Sequence, residues 1–105
     1  MKYKVRVPRE VRDELIDAAT YYIEHDAPDA AERLTERTEA TWQSLDTMPG
    51  AHRLDQRTGF RFAKVTGFPY LTWFNIVGNT VRVLALAHTA RSTTTVLNLI
   101  HGTGN

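Results

Sequence analysis

The stretch FRFAKVTGFPYLTWFNIVGNTVRVLALAHTAR, residues 60–91, decides the fold. It divides into three runs rich in β-branched and aromatic residues: Phe60 to Thr66, Tyr70 to Val77, and Thr80 to His88. Gly78-Asn79 stands between the last two runs, and both residues tolerate positive φ, so the pair is a two-residue hairpin signal. A tight turn there predicts a register in which Ile76 faces Val81, Phe74 faces Val83, Thr72 faces Ala85 and Tyr70 faces Ala87. On the opposite face Trp73 then meets Leu84, and Leu71 meets Leu86. Both faces are apolar near the middle, as in central strands covered on two sides. The apolar run stops at His88-Thr89-Ala90-Arg91, and a working edge is expected there.

Upstream, Lys2 to Val7 alternates basic and apolar residues, which is the period of a strand with one wet face. Tyr3, Val5 and Val7 are predicted to point inward, and the bases outward, where they also deter stray edge pairing. Pro8 ends the strand. From Arg9 to about His25 the apolar positions Val11, Leu15, Ala18 and Tyr22 advance by four, three and four, one face of a helix. Glu10, Asp13, Glu14 and Asp17 sit toward its N-terminus, where the helix dipole favours negative charge. Asp26-Ala27-Pro28-Asp29 breaks this helix and starts another, whose face is Ala31, Leu34, Thr38, Trp42 and Leu45. So short a connector predicts an antiparallel helical hairpin. Tyr21, Tyr22 and Trp42 read as helix packing, or alternatively as a recognition surface.

Thr47 to Gly59 shows no period and reads as a surface loop. Arg53, Arg57 and Arg61 recur every four residues, but Gly50 and Gly59 argue against a helix carrying them. The expected domain is therefore 1–91, an α+β unit made of an N-terminal strand, a helical hairpin and a three-stranded antiparallel meander, with the helices on one face. Residues 92–105 form a C-terminal tail. Its apolar residues, Val96, Leu97, Leu99 and Ile100, are too few to stand alone. They can dock back on the sheet, extend a partner's sheet or enter a groove.

The 105 residues hold one core and contain no cysteine, which excludes disulfides and thiol chemistry. No apolar run is long enough for a membrane span and the start lacks a signal-peptide core, so a cytoplasmic protein without membrane contact is expected. The four histidines are not spaced to bind metal, and no cofactor is implied. Residues 1–46 carry seven bases and eleven acids, while residues 47–105 carry six bases and Asp55 alone. The helical half is acidic and the sheet half basic, which suits nucleic acid or an acidic protein partner, or simply reflects strands that tolerate few charges.

Several segments, taken in order, resemble one family. Ala27-Pro28-Asp29-Ala30-Ala31 resembles the interhelical segment of the ParE/RelE toxins of type II toxin–antitoxin systems. Leu45 with Met48-Pro49-Gly50, then Arg61, Gly67-Phe68-Pro69-Tyr70 and Val81 through His88 to Arg91 continue the likeness. The subset most resembled is ParE-like, often called plasmid stabilisation proteins. The resemblance implies a growth-inhibiting toxin held inactive by a cognate antitoxin. It implies one of two targets: DNA gyrase, poisoned by protein binding, or messenger RNA on the ribosome, cut by a RelE-like endoribonuclease. A third outcome is an inactive member that keeps only antitoxin binding.

The residues can be weighed against both targets. RNA cleavage needs a base for the 2′-hydroxyl, cations on the scissile phosphate and an acid for the leaving oxygen. Arg61 and Arg91 are candidate phosphate clamps, and His88 is of the residue type whose charge changes near neutral pH. These three are the catalytic candidates if the chain is RelE-like. No tyrosine or second histidine closely follows Arg91, and no lysine cluster precedes Arg61, so the ParE-like reading is preferred. His88 is then expected to cap the sheet edge and Arg91 to pair with an acid of the helices. Arg53, Arg57, Lys64, Leu97 and Ile100 are the candidates for contacting a target or partner.

Overall fold

A computed structural model describes residues 2–103. Strand β1 (Lys4–Arg6) is followed by helices α1 (Arg9–Glu24) and α2 (Pro28–Ser44) and one 3-10 turn (Pro49–Ala51). Strands β2 (Arg61–Lys64), β3 (Tyr70–Val77) and β4 (Thr80–His88) come next, and helix α3 (Thr93–Thr103) closes the chain. The sheet order is β1-β4-β3-β2, with β2, β3 and β4 an antiparallel meander and β1 parallel to β4 at the edge. The α+β architecture expected from the sequence is present.

The helical hairpin forms because each helix has one apolar face. Val11, Leu15 and Ala18 of α1 are buried, as are Ala31, Leu34, Thr38 and Trp42 of α2 and Leu45 just beyond it. They close over Ala63, Val65, Phe74, Val81, Val83 and Leu86 of the sheet half, with Tyr3, Val5 and Val7 packed at the margin. Asp26, at φ 60°, ends α1. Its N–H donates to the Ile23 carbonyl at 3.2 Å, and the next N–H, of Ala27, donates to the Tyr22 carbonyl at 2.8 Å. This pair of bonds satisfies two helix-end carbonyls and reverses the chain, and Pro28 then opens α2.

Two buried threonines differ in how their hydroxyls are satisfied. Thr72 Oγ1 accepts from Trp42 Nε1 at 3.2 Å, whereas Thr38 Oγ1 is buried with no partner. Thr38→Val is therefore expected to be neutral or to stabilise by about 1 kcal/mol, and Thr72→Val to cost about 1–3 kcal/mol by orphaning the indole N–H. Denaturant titration of both variants checks the opposite signs; equal effects would contradict the assignment.

Of the two hairpin residues only Gly78 takes positive φ, at 60°, which is the pattern of a type II′ turn. From that turn the expected register holds through Ile76–Val81 and Phe74–Val83 and then fails. A bulge follows, and Trp73 pairs with Ala85, Thr72 with Leu86, Leu71 with Ala87 and Tyr70 with His88. Leu84 is the extra residue, lying with Ala85 on the face away from the hairpin. The four pairings expected beyond Phe74 are each displaced by one. The slip returns Leu86 to the hairpin core and turns His88 toward the α1 side, opposite Tyr70.

The second face of the sheet is covered by α3, which lies within the expected tail; of the options named for that segment, docking back on the sheet is the one present. Val96 and Ile100 are buried against Trp73, Ala85 and Ala87, with Phe60, Phe62, Leu71 and Leu84 around them. Ser92 starts this helix, its Oγ accepting the Thr95 N–H at 3.2 Å. The hairpin helices thus share one face, as expected, while a third helix that the sequence reading leaves unassigned takes the other. The two last residues of the expected tail lie outside the described chain.

Candidate functional site

The groove that gathers the most titratable chemistry follows from β1 being short. β1 pairs only with Thr80–Arg82, so the rest of that edge of β4 is met by α1. There Glu14 Oε1 accepts the Leu86 N–H at 3.2 Å, doing for the strand what a neighbouring strand would otherwise do. Glu14 sits one turn after Val11 and one before Ala18, on the border of the buried helix face.

Glu14, Asp17 and Tyr21 of α1, Tyr70 of β3, and His88 and Arg91 at the end of β4 line a groove of about 210 Å³. Burial pushes the Glu14 carboxyl up to about 7; the Leu86 N–H and the Arg91 charge partly oppose this, and Asp17 adds to it. Tyr70 is also raised, first by burial and then by Tyr22, with Arg91 acting in the other direction. His88 Nδ1 accepts the Ala90 N–H at 3.0 Å, which leaves Nε2 as the nitrogen that carries the proton of the neutral ring. Its ring meets Tyr70 edge-on, 5.3 Å between centroids. Arg91 is exposed and its N–H donates to the His88 carbonyl at 3.0 Å. Among the described residues it makes no ion pair within 4.0 Å; the one salt bridge there is Lys2 to Asp46 at 3.8 Å.

Arg61 is not part of this groove. It pairs with Phe74, four residues along β3 from Tyr70, and β2 lies two strands from β4, so its backbone is about 16 Å from that of His88. Its Nη1 donates to the His52 carbonyl at 2.8 Å, and the His52 ring packs edge-on to Phe74. The structure therefore brings His88 and Arg91 together and sets Arg61 in the support of the 3-10 turn.

The other candidates are dispersed. Arg53 and Arg57 are exposed and line an open concavity of about 670 Å³ with Asp55 and Phe62 beside β2. Lys64 is exposed on β2. Leu97 is half-buried on α3, and Ile100 is buried under it against the sheet. Glu14, Asp17 and Tyr70 line the groove although the sequence reading did not propose them as site candidates, and Tyr21 was weighed there as packing or a recognition surface. The available signal was Glu14, an acid on the edge of an apolar helix face.

Residues 5–93 match the family described as ParE toxin of type II toxin-antitoxin system, parDE. The chain belongs to the ParE toxin family. The matched span runs from β1 to the first residue of α3 and includes both sides of the groove. A solved structure described as the chromosomal ParDE TA system from P. aeruginosa has the same fold, with a TM-score of 0.74 at 16% identity, covering 83% of this chain and 96% of that one. No curated protein sequence matches the chain. As a ParE-family chain it has no helix, among the described residues, long and apolar enough to cross a membrane.

Proposed function

We propose that this toxin halts growth in the cytoplasm by binding DNA gyrase, and that a cognate antitoxin protein neutralises it. The observation that carries this reading is the separation of Arg61 from His88 and Arg91. A ribonuclease needs phosphate-holding cations and proton-transfer groups around one scissile bond. Here one candidate clamp is engaged with the His52 carbonyl, and its backbone stands about 16 Å from that of His88. A protein-binding toxin needs no such convergence.

One observation favours the RelE-like alternative. The Glu14 carboxyl, pushed up to about 7, shares a groove with His88 and Arg91, and acid–base groups beside a cation are what cleavage of messenger RNA on the ribosome requires. The two readings separate in a pulse-label of thymidine and methionine incorporation minutes after inducing the chain alone. Gyrase binding predicts an early fall in thymidine with translation continuing, inhibition of supercoiling by the purified toxin, and full toxicity in His88→Ala. An early fall in methionine, with toxicity lost in His88→Ala, would replace this reading with the nuclease.

A further inference from the structure

On the sheet face away from the hairpin, α3 covers the half around Trp73, Ala85 and Ala87. The pairing register fixes what stands on the other half. Arg6 lies opposite Arg82, and Arg82 opposite Asn75; two residues along, Lys4 lies opposite Thr80, and Thr80 opposite Val77. Residues two apart on a strand share a face, so these six side chains form two rows of three. Val5, Val81 and Ile76, between the rows, belong to the hairpin core.

Lys4, Arg6 and Arg82 are all exposed. Like charges directly opposite one another in a sheet repel, and among the described residues no carboxylate lies within ion-pairing distance of Arg6 or Arg82. Edge protection accounts for Lys4 and Arg6, since β1 is an edge strand. It does not account for Arg82, whose strand has neighbours on both sides. At the end of β1, Arg6 and Arg82 converge with Arg12 on an open concavity of about 590 Å³ whose remaining lining is Val5, Val7 and Pro8. No acid lines it. Arg12 also borders a neighbouring concavity lined by Glu39, Trp42 and Gln43, where its guanidinium lies over the Trp42 ring, 5.6 Å from the centroid.

We propose that this basic half-sheet, Lys4, Arg6 and Arg82 with Arg12 at its margin, is a docking surface for nucleic-acid phosphates. Guanidinium groups bind phosphate oxygens bidentately, and neighbouring strands set the Arg6 and Arg82 backbones about 5 Å apart, with Lys4 about 7 Å along from Arg6. Such spacing suits a backbone that presents a charge at short, regular intervals. An acidic protein would also want a buried apolar anchor, and the exposed apolar side chain in these rows is Val77. The surface lies on the opposite side of the sheet from the His88 groove, so the proposal stands independently of the gyrase reading.

Fluorescence anisotropy of the full chain with a labelled DNA duplex of about 20 base pairs, between about 50 and 200 mM salt, tests it. With three or four phosphates neutralised, the log–log dependence of affinity on salt should have a slope of about −3. Arg6→Gln combined with Arg82→Gln should make the slope shallower by about two and weaken binding at least about tenfold at the low-salt end. Arg33→Gln, an equal loss of exposed charge per site on α2, should leave the slope unchanged. Thermal melts accompany the measurement. Removing the Arg6–Arg82 repulsion should leave the double variant melting at or above the parent, which separates lost binding from lost fold. Lys4→Gln with Arg12→Gln should repeat the change of slope without touching that pair. Absence of DNA binding at low salt, an unchanged slope in both double variants, or polyglutamate competing as well as DNA would each overturn the proposal, the last by assigning the surface to a carboxylate-bearing protein.

Discussion

Phe74→Ala is expected to lower the free energy of unfolding by about 3–5 kcal/mol. Phe74 is fully buried at the centre of β3. It is flanked by Arg61 and Val83 in register, and the bulge begins beside it. The His52 ring packs edge-on to it at 5.7 Å, so the side chain joins the sheet to the 3-10 turn as well as filling the core. A domain of this size holds only about 5–15 kcal/mol in total, so the variant should lose a large fraction of its stability. Thermal unfolding should show a fall of at least about 12 °C. A fall of less than about 5 °C would mean that the site collapses around the deletion and that Phe74 is not central to the core. The same contacts affect how toxicity data are read. Because Arg61 holds the His52 carbonyl beside Phe74, lost toxicity in an Arg61 variant has a structural explanation unless its melting temperature is preserved.

The contrast between what the sequence displayed and what it concealed has physical causes. The hairpin faces were legible because the steps of three and four along α1 and α2 contrast apolar with charged residues. The register beyond Phe74 was not, because Val83-Leu84-Ala85-Leu86-Ala87 is uniformly apolar and a slip of one buries no charge. Polar residues reveal a register, and here they resume only at His88. Helix α3 was hidden by the brevity of its apolar run, although Ser92 three residues before Thr95 was a usable capping signal. His88 and Arg91 were legible as a pair because polar residues at the end of a buried strand stand out. Arg61 was grouped with them on the family resemblance and on its chemistry, and its distance follows from strand order. Glu14 was read as an acid near a helix N-terminus. Its burial depends on β1 stopping at Arg6 and leaving the Leu86 N–H for a side chain to satisfy, which no local pattern announces.

Glu14→Gln is expected to abolish this residue's contribution to the pH dependence of stability, a contribution opposite in sign to that of the usual salt-bridged carboxylate. The folded protein holds the Glu14 carboxyl at about 7 against an ordinary 4.5, so between those values the native state binds more proton than the unfolded chain. Stability from this group is full below about pH 4.5, declines as pH rises toward 7 and stays lost above it, opposite to the usual salt-bridged carboxylate. The shift sets a ceiling of about 3 kcal/mol, and partial exposure of the side chain brings the expected loss to the order of 1–2 kcal/mol. Asp17, Tyr21, Tyr70, His88 and Arg91 face the same groove, so the quantity to measure is the difference between parent and Glu14→Gln across pH 4–8. The glutamine oxygen can still accept the Leu86 N–H, and the amide carries no charge to bury. The variant should therefore match the parent near pH 4 and exceed it near pH 8. Glu14→Ala should instead be less stable than Glu14→Gln at every pH, by about 1–3 kcal/mol, because the Leu86 N–H is left unpaired. If the difference between parent and Glu14→Gln were flat with pH, the carboxyl would be titrating in solvent. The groove would then lose its one neutral-pH acid, and with it the main support for the nuclease alternative.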